Sequence, residues 1–341
     1  MMKAFQIKNP KEYAFIEQDL PMPESGELLL KTRNVGYCGT DLNIYRGTNP
    51  LVSYPRITGH EIAATIESVE EHVPENLQPG MNVTVYPGTN CGECSACLND
   101  RPNACKNNEI YGVQRDGAML EYFTAPHDKI FVSETLSLEE LALVEPLSVG
   151  VRAVERGVIT DKDTVAVFGS GMIGLSVIGA AAAKGAEVIA IDIDDEKLEV
   201  ANRAGARHTV NSSKENLHER LQKLTGDHGP MVTVEAIGIP ETYRAAVEEV
   251  AFTGRVVYIG YAKEDVALTT QLFVKKELDI RGSRNSTQED FGNALKLLES
   301  GQMPVDDILS KVVSFSESGS ALEDWNANPQ KYTKIQVSFD E

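Results

Sequence analysis

Four of the five cysteines fall in one run, Cys91-Gly-Glu-Cys94-Ser-Ala-Cys97 followed by Cys105. Four thiolates this close in sequence can close a tetrahedron around one divalent ion and leave no position open, which is the chemistry of a structural zinc site. The loop that carries them, residues 88–106, is polar and rich in turn formers (Gly88, Asn90, Gly92, Asn99, Asp100, Pro102). A bound metal would supply the order that such a loop lacks. An iron–sulfur cluster is the alternative for four cysteines, but nothing else in the chain suggests electron transfer. An odd cysteine count in a chain of this length argues against a disulfide framework.

The fifth cysteine lies in Gly36-Tyr37-Cys38-Gly39-Thr40-Asp41, and taken alone it reads equally as a small buried thiol. Two other segments change its meaning. Gly59-His60-Glu61 sets an imidazole and a carboxylate side by side, and Glu145-Pro146 places a carboxylate within an otherwise apolar stretch. Cysteine, histidine and glutamate together can hold zinc with one position left for water or an alcohol. Spacing alone does not bring the three segments together.

A second kind of chemistry is written in Phe168-Gly169-Ser170-Gly171-Met172-Ile173-Gly174. G-x-G-x-x-G carries weight only between a strand and a helix, and here the apolar run Thr164–Phe168 precedes it and an alanine-rich stretch follows. Gly169 suits the tight turn, Gly171 lets the backbone approach a pyrophosphate, and Gly174 lets the helix pack on the sheet. The helix N-terminus would face the phosphates. Asp192, ending the next strand, suits the ribose hydroxyls and would repel a 2′-phosphate, so NAD is expected over NADP. The cofactor-binding set is thus Gly169, Gly171, Met172, Ile173, Gly174, Asp192 and Lys197, although Lys197 and Arg203 also read as solvated helix residues.

The elements that must position these groups change character along the chain. Up to about residue 130, short apolar runs (28–30, 63–69, 82–86, 122–125) alternate with glycine and proline, as in an irregular β-domain. Ser137-Leu138-Glu139-Glu140 reads as a capping box, and Pro146 is expected to end that helix, with a second one over 147–156. From residue 164, strand-like runs (Thr164–Phe168, 187–191, 231–235, 255–259) alternate with helical stretches (195–204, 241–250), the pattern of a doubly wound parallel sheet. A helix over 288–300 and a tail that could rejoin the first domain follow. The uncharged stretch 164–183 holds four glycines and reads as strand, turn and buried helix rather than a membrane span.

With 341 residues, 42% apolar and 24% charged side chains, the composition is that of a soluble two-domain protein. The net charge of −19 disfavours nucleic-acid and anionic-membrane partners. The N-terminus lacks the apolar stretch of a secretory signal, and a cytoplasmic protein is expected.

Taken in order, Gly36–Asp41, Gly59-His60-Glu61, the four-cysteine loop, Glu145-Pro146-Leu147-Ser148-Val149-Gly150 and the glycine turn resemble the zinc-dependent medium-chain dehydrogenases over essentially the whole chain. The Glu-Pro-Leu-Ser-Val-Gly stretch is similar to the sorbitol and threonine dehydrogenase branch. Tyr54-Pro55-Arg56 and Gly282-Ser283-Arg284-Asn285 are similar to sugar-acid dehydrogenases of the L-galactonate type. The resemblance implies an α/β chain with a GroES-like β-rich catalytic domain (1–146 and 286–341) and a Rossmann NAD-binding domain (147–285). It also implies two zinc ions per chain, a homodimer or homotetramer, and hydride transfer from a secondary alcohol of a polyol or sugar acid to NAD. Cys38 and His60 become catalytic-zinc ligands, with Glu61 and Glu145 both open as the next one. Thr40 begins the proton's exit. Arg284 and Tyr45 become substrate contacts, with Arg46, Asn49 and Glu121 as further lining. Many relatives place a histidine five residues after the zinc cysteine, as the outer end of a proton relay. Here that position is Asn43, which cannot titrate.

Other readings stay open at this point. Threonine-type or simple alcohol oxidation uses the same zinc centre. A zinc-free reductase on this scaffold would have no reason to keep Cys38, His60 and Glu145. A zinc-loop binding module for nucleic acid conflicts with the acidic balance and the complete glycine turn.

Overall fold

The computed structural model describes residues 1–340. In chain order the first elements are β1 (Met2–Asn9), β2 (Glu12–Gln18), β3 (Glu27–Tyr37), α1 (Gly39–Arg46), β4 (Arg56–Ile57), β5 (Glu61–Val69), β6 (Asn82–Val85), α2 (Ser95–Leu98), β7 (Tyr122–Pro126), β8 (Ile130–Val132) and α3 (Leu138–Gly157). Next come β9 (Thr164–Phe168), α4 (Met172–Ala183), β10 (Glu187–Asp192), α5 (Asp195–Arg203), β11 (His208–Asn211), α6 (Leu217–Thr225), β12 (Val232–Glu235), α7 (Pro240–Glu249), β13 (Arg255–Tyr258), α8 (Gln271–Lys275), β14 (Asp279–Gly282) and α9 (Gln288–Glu299). The chain closes with α10 (Val305–Ile308), β15 (Leu309–Ser314), α11 (Ser318–Ala327) and β16 (Lys334–Ser338).

Two units emerge: Met1–Glu145 with Val305–Glu341, and Pro146–Pro304. In the first, β15, β16, β3, β5, β6 and β8 lie side by side in one sheet, with β7 also paired to β3. A smaller sheet joins β2, β1 and β4. Its core gathers Phe5, Ile7, Leu30, Tyr37, Ile62 and Val337, all fully buried.

The second unit is one six-stranded parallel sheet in the order β11-β10-β9-β12-β13-β14. Strand β9 lies inside the sheet between β10 and β12, so the strand order reverses there and the chain switches from one side of β9 to the other. Burial from both faces explains why Thr164–Phe168 is a continuous apolar run rather than an alternating one. The uncharged stretch is accordingly β9, the glycine turn and α4, whose residues Leu175 to Ala181 are all buried. No helix among the described residues is long and apolar enough to cross a membrane.

Two expectations need correction. Pro146 lies inside one continuous helix, α3, and does not restart it. An interior proline costs about 3 kcal/mol, and the fully buried Leu141, Ala142, Leu143, Val144 and Leu147 around it offset that cost. Residues 286–304 group with the second unit rather than the first, because α9 buries Phe291, Ala294 and Leu298 and the Met303 sulfur fills the space over Gly179 of α4. Tyr45 is 5% exposed and packs with the first unit's core.

Candidate metal and cofactor sites

Cys38 sits where β3 gives way to α1 and serves as that helix's N-cap. Its sulfur accepts from Thr40 N at 3.1 Å, while the Asp41 carboxylate returns to Cys38 N at 2.8 Å. The thiol is thereby aimed by backbone geometry, as a capping serine would be.

His60 immediately precedes β5, whose register pairs Glu61 with Gly36 of β3. This pairing brings the Cys38 and His60 segments together. Ligand atoms of Cys38, Asp41 and His60 lie within 4.8 Å of one another, and so do those of His60, Glu61 and Glu145. His60 is common to both groups. Its Nδ1 and Asp41 Oδ1 face each other at 3.9 Å, both buried and neither hydrogen-bonded. Burial disfavours the charged imidazole, yet Asp41 and Cys38 outweigh it and raise the His60 pKa well above its usual value. Such concentrated negative charge around one imidazole suits a divalent cation.

The two glutamates differ in what holds them. Glu61 is 1% exposed, and its Oε1 and Oε2 accept from Lys334 Nζ at 2.6 and 2.7 Å. Lys334, also buried, donates as well to the Tyr37 carbonyl at 3.1 Å. The carboxylate lies flat over β3 because residue 36 is glycine: a Cβ there would fall 1.9 Å from Glu61 Oε2. Burial pushes Glu145 up to about 7, with His60 opposing the shift and Glu61 adding to it.

The four-cysteine loop is already shaped for an ion. Sulfur pairs Cys94–Cys97, Cys94–Cys105 and Cys105–Cys91 are 3.6, 3.7 and 3.5 Å apart. Zinc–sulfur bonds of about 2.3 Å in a tetrahedron require sulfur separations of roughly 3.8 Å. Backbone amides converge on these sulfurs, Cys91 N and Asn107 N reaching Cys105 Sγ at 3.4 and 3.3 Å. Amide donors from Cys97 and Lys106 lower Cys94 to about 6.

In the second unit, the turn between β9 and α4 holds Gly169, Gly171, Met172, Ile173 and Gly174. A Cβ on Gly174 would lie 1.8 Å from the Gly169 carbonyl oxygen, so only glycine closes this turn. Asp192 ends β10 and draws the turn to itself: Oδ2 accepts from Ser170 N at 2.7 Å, and Oδ1 from Ile193 N and Asp194 N at 2.8 and 3.2 Å. A carboxylate has about four acceptor sites, which leaves capacity for a ribose hydroxyl. Lys197 lies in the first turn of α5, its amide reaching the Asp194 cap at 3.5 Å.

The remaining candidates are placed as follows. Arg284 lies in the second unit, just past β14. Arg46 Nε donates to Asn326 Oδ1, Asn49 Oδ1 accepts from Leu51 N, and Glu121 Oε2 accepts from Lys3 N. Sequence reasoning missed Lys334, which nothing near it in the chain marks out. It also gave Asp41 no role, although its spacing from Cys38 is that of a capping box.

The alcohol dehydrogenase GroES-like domain family matches residues 24–134, and the zinc-binding dehydrogenase family matches residues 173–300. An uncharacterized zinc-type alcohol dehydrogenase-like protein of Haemophilus influenzae is 33% identical over 99% of both chains. This chain belongs to the zinc-type medium-chain alcohol and polyol dehydrogenase family. The L-galactonate-5-dehydrogenase of Escherichia coli K12 is 30% identical, again over 99% of both chains. Among solved structures, an alcohol dehydrogenase from Escherichia coli CFT073 in complex with NADH superposes with a TM-score of 0.91 at 30% identity, covering 99% of each chain. Membership accounts for the α/β architecture, in which the first unit carries the GroES-like match and the second the parallel Rossmann sheet.

Proposed function

We propose that this dehydrogenase oxidises a secondary alcohol on a polyol or sugar acid, with NAD as the hydride acceptor and two zinc ions per chain. The observation that carries the reading is that His60 joins two ligand clusters, one with Cys38 and Asp41 and one with Glu61 and Glu145, where Glu61 is paired with Lys334. Cys38, His60 and Glu145 would hold the catalytic ion, and Cys91, Cys94, Cys97 and Cys105 the structural one. Both oxygens of Glu61 are held by a buried ammonium, and Glu145 is assigned as the third ligand. A zinc ion there supplies Lewis acidity toward an alcohol oxygen and lowers its pKa.

The chain's own groups do the rest. Asp41 faces His60 Nδ1 and fixes the orientation of the ring. Thr40, two residues past Cys38, has a hydroxyl suited to take the first proton from a substrate, with Asn43 leaving the outer step to solvent. The glycine turn and the α4 N-terminus would hold the pyrophosphate, and Asp192 the ribose, favouring NAD over NADP. Arg284 would meet the hydroxyls or carboxylate of the substrate. The L-galactonate relative supports the sugar-acid class.

The test is NAD reduction over a panel of aldonates, polyols, threonine and simple alcohols, together with metal content. Turnover of a polyol or aldonate with two zinc ions per chain is expected, and Cys38→Ser should abolish it while NAD still binds. Full activity in Cys38→Ser would sink the zinc mechanism, and turnover confined to simple alcohols would sink the substrate class.

A further inference from the structure

His60 is approached through a stretch of chain with almost no side chain to anchor it. After β4 ends, Thr58 and Gly59 lead directly to His60, and residues 109–119 lie against them. Gly117 N donates to the Ile57 carbonyl at 2.8 Å, Met119 N to Thr58 O at 2.9 Å and Ala118 N to Gly59 O at 3.0 Å. The fit is backbone on backbone. A Cβ on Gly117 would fall 2.4 Å from Gly59 O and 2.5 Å from Thr58 O, and one on Gly112 would fall 2.5 Å from Gly59 N. From the edge of the same loop, Asp116 Oδ1 clasps Ile57 N at 3.1 Å and Arg56 Nη1 at 3.0 Å.

The other end of this loop is tied to the four-cysteine loop. Thr89 N donates to Glu109 O at 3.0 Å, Glu109 N returns to Thr89 Oγ1 at 2.9 Å, and Asn108 Nδ2 donates to Thr89 O at 2.6 Å. Gly88 and Ile110 add a β-bridge. A short, densely bonded path therefore runs from the Cys105 sulfur to the backbone that presents His60.

We propose that residues 109–119 are a positioning element for His60 and that the four-cysteine site sets their place, so that filling the thiolate site preorganises the other metal centre. The proposal rests on reading Cys38, His60 and Glu145 as a metal site. Gly112 and Gly117 are then positioning residues: they touch no ligand and act through the carbonyls and amide of Thr58 and Gly59. Metal affinity depends on how rigidly ligands are held, and losing a supporting contact typically costs about 10- to 100-fold.

The experiment loads Co2+ into the Cys38–His60–Glu145 site of protein that retains zinc in the thiolate site. Affinity and the visible d–d absorption are then compared between wild type and the variants Gly117→Ala, Asp116→Ala and Cys97→Ser. Gly117→Ala and Asp116→Ala should keep their thiolate zinc, yet bind Co2+ about 10- to 100-fold more weakly with shifted bands. Cys97→Ser, once it has lost its zinc, should show the same change. Should Gly117→Ala fail to fold, Asp116→Ala decides, because its carboxylate is 56% exposed and the change removes only its bonds to Ile57 N and Arg56 Nη1. Wild-type affinity and spectrum in Asp116→Ala and in any folded Gly117→Ala, or in zinc-free Cys97→Ser, would overturn the proposal. No Co2+ binding in the wild type would instead remove the metal-site reading beneath it.

Discussion

Three carboxylates, Asp41, Glu61 and Glu145, crowd around His60 in one corner of the first unit, and Lys334 pairs with Glu61 among them. Removing one partner of a buried ion pair strands the other charge and costs about 3–5 kcal/mol. Lys334→Met should therefore destabilise the protein by about that amount in urea unfolding, and adding Glu61→Gln should recover most of the loss. Equal stability of the two variants would show that Glu61 does not need its cation. In the second unit, Asp192→Ala should weaken NAD binding and relax discrimination against NADP, read from kcat/KM with each cofactor. Unchanged kinetics with both would reject the ribose contact. At this scale the sequence displayed Cys38, His60, Glu61, Glu145 and the four cysteines as metal-ligand candidates, since they carry reactive side chains in distinctive strings, but it did not mark Asp41. It did not display Lys334, because a lysine becomes a buried counter-charge only through strand pairing, and Lys334 is otherwise an ordinary residue near the end of the chain.

Elements succeed or fail here by how closely two backbones can approach. Helix α4 leaves its strand so tightly that Gly174 touches the Gly169 carbonyl, and Gly174→Ala should drive the two apart. The expected result is a nucleotide titration with at least about tenfold weaker NAD binding, about 1.4 kcal/mol or more, while the thiolate zinc is retained. Wild-type affinity would remove the turn from the cofactor site. The parallel strands were readable because burial on both faces writes itself as unbroken apolar runs. The course of α3 was not, because a proline's local penalty is visible in a sequence whereas the packing that overrides it is not. The placement of α9 escaped for a similar reason: its apolar face is obvious, but which sheet it covers is a tertiary fact.

At the scale of the molecule, the first unit is built from both ends of the chain. Asp340 grips Arg33 of β3 through two bonds, Nε to Oδ1 at 2.8 Å and Nη2 to Oδ2 at 2.7 Å. The side-chain hydrogen bond from Arg33 holds the Asp340 pKa below its ordinary value. A depressed folded-state pKa means that the pair stabilises above the unfolded carboxylate value of about 3.9 and that this contribution fades as pH falls through the folded value. Asp340→Asn should thus lower Tm at pH 7, and the difference should shrink only as pH falls through the depressed folded-state pKa of Asp340. A Tm difference that persists in acid would assign the effect to packing.

Glu61 and Lys334 stand 273 positions apart, and the whole second unit is encoded between them. Ribosomes add about 5–20 residues per second, so the carboxylate emerges on the order of tens of seconds before its cation. Through that interval the nascent sheet must keep a slot beside β3 for the final strand, with Glu61 wetted or protonated. Translation order leaves this corner open until β16 emerges, and a chain cut short before Lys334 would carry the whole second unit with Glu61 lacking its cation.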